Sequence, residues 1–481
     1  MPFYDIIYKK GDIMKLYNTL TRQVEEFIPN EEGKVKLYTC GPTVYSYAHI
    51  GNMRSYVSHD ILEKSIRYLG YDVTRCMNIT DVGHLTSDSD SGEGKMLKAV
   101  KKEHKTAMEI AKFYTEEFFK EMKALNCKMP DIISPATENI DEYIKIITKL
   151  LEKGFAYESG GNIYFDTTKL DDYYVLTNHK EDEMVVGVRE GVEEDSNKHN
   201  QNDFVLWFTT SKFENHELQW DSPWGKGYPG WHIECTGISI KYLGEYLDIH
   251  CGGVDNIFPH HTNEIAQSEG YLGHKWCNYW VHVEHLIDES GKMSKSKGAT
   301  LTATNLQKEG HDPLAYRLMC LNSHYKKQLL FSMDILKQNE EILKKLKNRI
   351  QSIISDGNYS EEDFNKYNDM FKEAISDNLN TANALTVLYD ALKADIGNDT
   401  KLKLIENFDK VLSLDLLKVD IDKDLEEKVN KLIEERNKYK EQKNYEKADE
   451  IRKQIEDLGV QIKDTREGTK IVWIWFLYYL L

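Results

Sequence analysis

The sequence predicts an α/β fold: a Rossmann-like parallel-sheet domain interrupted by an inserted subdomain and followed by a C-terminal α-helical domain. Three observations lead there. A strand–loop–helix–strand pattern runs from Val35 to Ile79, with glycines in its loop. The chain changes character from about residue 152 to 225, and from Pro229 it turns dense in Gly, His, Trp and Cys. After Pro313 apolar residues recur at helical spacing.

Val35 to Thr39 alternates and has β-branched ends, as a buried strand does. From Arg54 to Leu69, the residues Val57, Ile61, Leu62, Ile66 and Leu69 fall at helical spacing, and Gly70 stops the helix. Val73 to Ile79 reads as the next strand, with Gly41-Pro42 and His49-Ile50-Gly51 in the intervening loop. A long amphipathic helix follows over Thr106 to Leu125. Ile163-Tyr164-Phe165 suggests a short strand, Glu181 to Glu194 is acidic, and Asp195 to Asn202 reads as a mobile polar loop. Leu425, Val429, Leu432 and Ile433 form one apolar stripe. Tyr445, Ala448, Ile451, Ile455 and Leu458 form another, so a helical hairpin turns at Lys440 to Asn444.

These signals divide the chain. Residues 1–150 and 226–335 form the two halves of the Rossmann-like domain, and residues 151–225 the inserted subdomain. Residues 336–415 form a helical bundle, and residues 416–481 a terminal module with an apolar tail.

A chain of 481 residues exceeds what one hydrophobic core serves. With 40% hydrophobic and 30% charged residues it reads as soluble and globular, and Met1 to Gly11 does not resemble a signal peptide. Seven cysteines, none in a C-x-x-C pair, exclude a secreted disulfide framework and point to a reducing cytoplasm. A net charge of −18 opposes indiscriminate nucleic-acid binding, which leaves local basic clusters as candidates: Lys95 to Lys105, and Lys344, Lys345, Lys347 and Arg349. The apolar run Ile471 to Leu481 falls short of the roughly 20 residues a membrane span needs. It is expected to dock on the body as a strand or short helix.

Four features carry chemistry. His49 and Gly51 sit where the loop enters a helix, a natural phosphate site. Lys292-Met293-Ser294-Lys295-Ser296 lies between Gly291 and Gly298 and reads as a loop whose lysines can meet developing phosphate charge. Gly252-Gly253-Val254-Asp255 reads by itself as a Gly-rich turn that presents a carboxylate. His260 and Glu264 stand i, i+4 on a predicted helix with Pro259 in its first turn; with Cys40 and Cys235 they offer the S, N and O donors that zinc accepts. By spacing alone these four residues read equally as buried cysteines and a capping histidine, and His261 competes for any ligand role.

In this order, His49-Ile50-Gly51-Asn52, the lysine segment and the Cys40, Cys235, His260 and Glu264 set resemble the cysteinyl-tRNA synthetases of the class I aminoacyl-tRNA synthetase family. The resemblance covers nearly the whole chain. Asp377 to Leu385 looks like that family's helical domain, and Ala448 to Arg452 through Asp464 to Thr469 like its anticodon-side module. It implies a cysteine–tRNA ligase that activates L-cysteine with ATP to cysteinyl-adenylate and transfers it to the 3′ end of tRNA(Cys). One zinc ion per chain, held by Cys40, Cys235, His260 and Glu264, would select the substrate thiol, and magnesium would accompany ATP. Catalytic roles fall to Lys292, Lys295 and His49, and ATP binding to His49, Gly51, Asn52, Asp255 and Lys295. Substrate binding falls to Trp231, Thr80 and His232, with His250 beside them and Cys251 structural. A cytoplasmic monomer without a membrane span is expected.

Three departures stand out. Asn52 occupies a position where many members carry histidine, Asp81 to Leu85 is less acidic than usual, and the tail beyond Trp473 is longer. Two rival readings are a cysteine ligase charging an amino sugar and a non-catalytic zinc-dependent RNA-binding protein. The helices after about residue 335 oppose the first, and retention of both lysines opposes the second.

Overall fold

A computed structural model of the chain describes residues 13–82, 106–177, 196–209, 218–288, 291–292, 301–418, 423–442, 444–458, 460–465 and 468–473. A hairpin of β1 (Lys15–Asn18) and β2 (Gln23–Glu26) opens it. There follow β3 (Lys34–Thr39), α1 (Ile50–Tyr68), β4 (Asp72–Ile79), α2 (Ala107–Ala124) and β5 (Ile132–Pro135). Next come α3 (Ile140–Glu152), β6 (Ala156–Ser159), β7 (Asn162–Phe165), β8 (Phe204–Phe208) and β9 (Tyr228–Pro229). After them stand α4 (Trp231–Leu243), β10 (Leu247–Gly253), α5 (Thr262–Leu272) and β11 (Cys277–Val283). Short pieces follow: β12 (Leu286–Asp288), β13 (Gly291–Lys292), α6 (Ala303–Lys308), α7 (Pro313–Leu321) and β14 (Leu329–Leu330). The rest is helical, α8 (Met333–Gln351), α9 (Glu361–Ser376), α10 (Thr381–Lys393), α11 (Asn398–Leu412), α12 (Lys423–Glu441) and α13 (Tyr445–Asp457), up to a last hairpin, β15 (Val460–Thr465) and β16 (Gly468–Trp473).

The central sheet has the order β11-β10-β3-β4-β5, and every neighbouring pair is parallel. Alternation decides its faces. Val35, Leu37, Val73 and Ile249 meet Leu62 and Ile66 of α1, whereas Tyr38 and Cys76 meet Ile146 of α3 and Ile233 of α4. The chain leaves β3 in one direction and later returns to lay β10 on its other side, so a topological switch point falls between the carboxyl ends of β3 and β10. A second, antiparallel sheet of β6 to β9 branches off between α3 and α4.

Helix α1 begins four residues before the predicted Arg54. Gly51 and Asn52 are poor helix formers, but Ile50 and Met53 are fully buried, and that burial outweighs propensity. Helix α2 starts at a capping box. Thr106 accepts from the Glu109 amide, and the Glu109 carboxylate accepts from the Thr106 amide.

Three expectations change. The helical hairpin forms, but β15 and β16 follow it, paired from Val460↔Trp473 to Thr465↔Gly468. The first three residues of the apolar tail thus lie in a strand; residues 474–481, and with them the expected docking, lie outside the described residues. The polar stretch before β8 is anchored where it is described. The His199 ring stacks on Tyr157 at 3.7 Å, and its amide donates to the Tyr157 hydroxyl at 2.8 Å. The basic cluster on α8 is not one surface. Lys347 is buried, whereas Lys344, Lys345 and Arg349 are exposed, with one Arg349 nitrogen donating to the Leu392 carbonyl. The cluster Lys95 to Lys105 lies outside the described residues. Among the described residues no helix is long and apolar enough to cross a membrane.

Arg317 of α7 ties the two halves together. Its buried guanidinium donates to Asp60 of α1 at 2.6 Å, to the Leu125 carbonyl at the end of α2, and to the Leu412 and Val411 carbonyls at the end of α11.

Candidate functional site

A cavity of about 930 Å³ opens at the switch point. Its walls come from the loop after β3, the start of α1, the start of α4 and the segment after β10. Close approach shapes the first wall. The Gly41 amide donates to Asn78 Oδ1 at 2.7 Å, and a Cβ on Gly41 would stand 1.6 Å from the Asn78 carbonyl oxygen, so only glycine fits. Thr80 lies beside it, its hydroxyl accepting from Asn78 Nδ2 at 2.9 Å.

The structure gathers most of the sequence-predicted residues here. His49, Gly51, Asn52, Thr80, Trp231 and Asp255 line the cavity, as do Cys40, Cys235 and His260. His49 is the residue before α1, and the helix start faces the cavity. The Ile50 amide is taken by the Leu301 carbonyl at 2.9 Å, so the described chain that follows the lysine segment in sequence meets this helix start. Asn52 Oδ1 is buried without a hydrogen-bond partner among the described residues. Asp255 stands more exposed at the rim, 3.3 Å from His285 Nε2. The Lys292 backbone pairs with Ile287 in β13, but Lys295 lies outside the described residues.

Cys40, Cys235, His260 and Glu264 converge, with one ligand atom from each within 4.8 Å of the others. Helix α5 proper begins at Thr262. Pro259, His260 and His261 sit in a wide turn ahead of it, because Phe258 is extended, and not in the helical first turn the sequence suggested. His260 still reaches Glu264, Nε2 to Oε1 at 3.0 Å. His232 lies behind it, Nδ1 to Nδ1 at 2.9 Å, and the Trp231 ring stacks on it at 4.4 Å. His250 Nε2 holds the other Glu264 oxygen at 2.8 Å. The competitor His261 also closes in, its Nε2 3.2 Å from Cys40 Sγ.

Burial disfavours the charged forms here, and pairing reverses that for two of them. Burial would lower the His260 pKa, but Glu264 and Cys235 raise it to about 10; burial would raise that of Glu264, but His250 and His260 bring it to about 2. The Cys235 thiol is pushed well up by burial and by Cys40. Two soft sulfurs, an imidazole and an ionised carboxylate make a donor set that fits a divalent metal, zinc in particular.

The sequence reading missed several lining residues. Ser55, Tyr56 and His59 follow Asn52 at helical spacing, so the face of α1 already marked by Asn52 could have found them. Thr19 and Arg22 come from the first hairpin, and no motif signals them. His282 joins the histidine cluster from β11, through its Nε2 at 2.8 Å from His261 Nδ1.

Comparison with known families settles the membership. A family model described as the tRNA synthetases class I (C) catalytic domain matches residues 26–341, and one described as the cysteinyl-tRNA ligase anticodon binding domain matches residues 422–473. The chain belongs to the cysteinyl-tRNA synthetase family. The cysteine–tRNA ligase of Treponema denticola is 46% identical over 457 residues, which cover 88% of this chain and 92% of that one. That of Borrelia garinii is 42% identical, over 95% and 99%. Among solved structures, methionyl-tRNA synthetase of Mycobacterium tuberculosis bound by methionyl-adenylate superposes with a TM-score of 0.54 over 80% of this chain and 90% of that one. At 13% identity that likeness speaks for the fold alone. This synthetase therefore pairs a class I catalytic fold with a C-terminal helical region.

Proposed function

We propose that the cavity activates L-cysteine with ATP and passes the cysteinyl group to the 3′ end of tRNA(Cys), so that the chain works as a cysteine–tRNA ligase. One observation carries the reading. Cys40, Cys235 and His260, which converge with Glu264, line the same cavity as His49, Gly51 and Asp255, and this supports a thiol-reading centre beside a nucleotide-reading one.

In the first step the cysteine carboxylate attacks the α-phosphate; a P–O bond forms and pyrophosphate leaves. His49 and the Gly51 backbone bind phosphate at the start of α1, where the helix dipole favours negative charge. Asn52 offers a neutral hydrogen bond there, and Asp255 accepts from the ribose hydroxyls. Lys292 and Lys295 meet the charge that builds on the phosphate oxygens. In the second step a ribose hydroxyl of the terminal adenosine attacks the cysteinyl carbonyl, and AMP leaves. Trp231 and Thr80 flank the substrate side chain, and His232 fixes the ring of His260. Zinc held by Cys40, Cys235, His260 and Glu264 would take a thiolate and reject the harder hydroxyl of serine. Magnesium accompanies ATP. The terminal module reads the tRNA, and the enzyme acts as a cytoplasmic monomer.

ATP–pyrophosphate exchange driven by cysteine tests the proposal. Exchange with cysteine and at most trace exchange with serine is the expected result. Equal exchange with both amino acids would remove the thiol-selecting role.

A further inference from the structure

The donor cluster is larger than one coordination sphere. Besides the cavity-facing set, single ligand atoms of Cys40, His250, His261 and Glu264 also lie within 4.8 Å of one another. The two sets share Cys40 and Glu264, so a single ion can use either set while keeping these two donors. They differ in access. Cys40, Cys235 and His260 line the cavity, whereas His250, His261 and Glu264 are fully buried behind it.

We propose that Cys40, His250, His261 and Glu264 form a second metal position, closed to substrate, that takes the ion when the cavity-facing set is broken. The proposal rests on the reading of the first set given above. Its donors are one sulfur, two nitrogens and one oxygen, all acceptable to zinc. Two of its six separations come close to the edges of a zinc tetrahedron, one slightly short and one slightly long. Cys40 Sγ to His261 Nε2 is 3.2 Å and His261 Nε2 to Glu264 Oε1 is 3.9 Å. Bonds of about 2.0–2.3 Å give a tetrahedron edges of roughly 3.3–3.8 Å.

Proton placement supports it too. His261 Nδ1 is 2.8 Å from His282 Nε2, and His282 Nδ1 is 2.7 Å from the Thr19 hydroxyl. With each Nδ1–H donating along this chain, His261 Nε2 keeps a lone pair facing Cys40. A ligating histidine ordinarily has its second nitrogen held in this way. With the protons reversed, His261 Nε2–H donates to the Cys40 thiolate and supports the first set instead. One ring can therefore serve both positions. Gly252 lets the ring approach, since a Cβ there would stand 2.7 Å from His261 Cε1.

The order of preference follows from His250. Its Nδ1 has no partner among the described residues. Ligation through Nε2 would force the proton onto this unpaired buried nitrogen, whereas donation from Nε2 to Glu264 leaves Nδ1 a bare acceptor. The ion therefore prefers the cavity-facing set, and the inner position is a reserve. Metal content then stops reporting competence, because an ion held inside cannot meet a substrate thiol.

The test measures zinc content and cobalt(II) absorption in the full-length protein and its variants. Cys235→Ala is expected to keep about one ion per chain, to show about half the thiolate charge-transfer intensity of the wild type, and to lose cysteine-driven exchange. Adding His261→Gln should weaken its metal affinity more than about 100-fold, beyond what loss of a supporting residue costs. His261→Gln alone should keep its ion with both thiolates. Loss of metal from Cys235→Ala as complete as from the double variant overturns the proposal, as does a metal-free His261→Gln single variant. His260→Gln, which keeps both thiols, is the route if Cys235→Ala does not fold. A one-thiolate spectrum in it supports the inner position, and a two-thiolate spectrum refutes it. A wild type that binds its ion but shows no cysteine-driven exchange would overturn the functional reading and leave the metal comparison standing.

Discussion

At the scale of single residues, the proposed function assigns recognition to Cys235 and chemistry to Lys295. Cys235→Ser should weaken cysteine binding far more than ATP binding, because only the amino acid reaches the donor set; equal losses for both ligands, measured by equilibrium titration, would refute this. Lys295→Ala should slow adenylate formation by about 10²–10³-fold with little change in cysteine affinity, since its cation matters where charge develops. Single-turnover kinetics decide, and an unchanged rate would reduce the lysine to a solvated charge. Spacing alone left Cys40, Cys235, His260 and Glu264 open to an ordinary structural reading, and only the family resemblance singled them out; the structure brings the four together. His261 and His282 were less legible. Their positions around Cys40 come from β11 and the turn before α5 meeting across the switch point, a distance that sequence spacing does not encode.

At the scale of elements, α1 does two jobs. Its start faces the cavity where the proposed function puts the nucleotide, and its next turns carry Ser55, Tyr56 and His59 along the wall. Both ring nitrogens of buried His59 lack partners among the described residues, and burial, helped by Arg75, lowers its pKa well below 6.5. The sign follows from the proton count. Below 6.5 the unfolded chain takes up a proton that the folded chain refuses, so stability is present above that pH and declines as pH falls toward the folded value. His59→Phe should remove about 2 kcal/mol of this acid penalty at pH 5 and almost none at pH 8. Equal shifts in melting temperature at the two pH values would show that packing, not protonation, decides. The helix was legible from its period, while its first turn was not, because Gly51 and Asn52 depress propensity where tertiary burial of Ile50 and Met53 compensates. The β15–β16 hairpin was lost for a related reason. Its second strand begins the apolar run at the tail, and an unbroken run conceals the alternation that marks a strand.

At the scale of the whole molecule, the apolar contacts place the boundary that matters. One core runs from Val44 to Leu416 and joins α1 and α2 to the bundle, whereas Val429, Ile433, Ile451, Ile455 and Ile462 form a separate small core. A chain ending at Lys418 should therefore keep cysteine-driven ATP–pyrophosphate exchange while losing most charging of tRNA. Full-length charging should weaken steeply with salt as phosphate contacts release counterions. Equal charging by both forms would show that the module does not read tRNA. Arg317 has a further consequence. Its guanidinium caps the carbonyl ends of two helices and pairs with Asp60 on a third, so none of the three can fray there alone. In native-state hydrogen exchange, the amides around Asp60, Leu125 and Leu412 should open as one cooperative unit and share a single protection free energy. The end of α11 would then set how often the cavity wall that α1 carries at Tyr56 and His59 breathes.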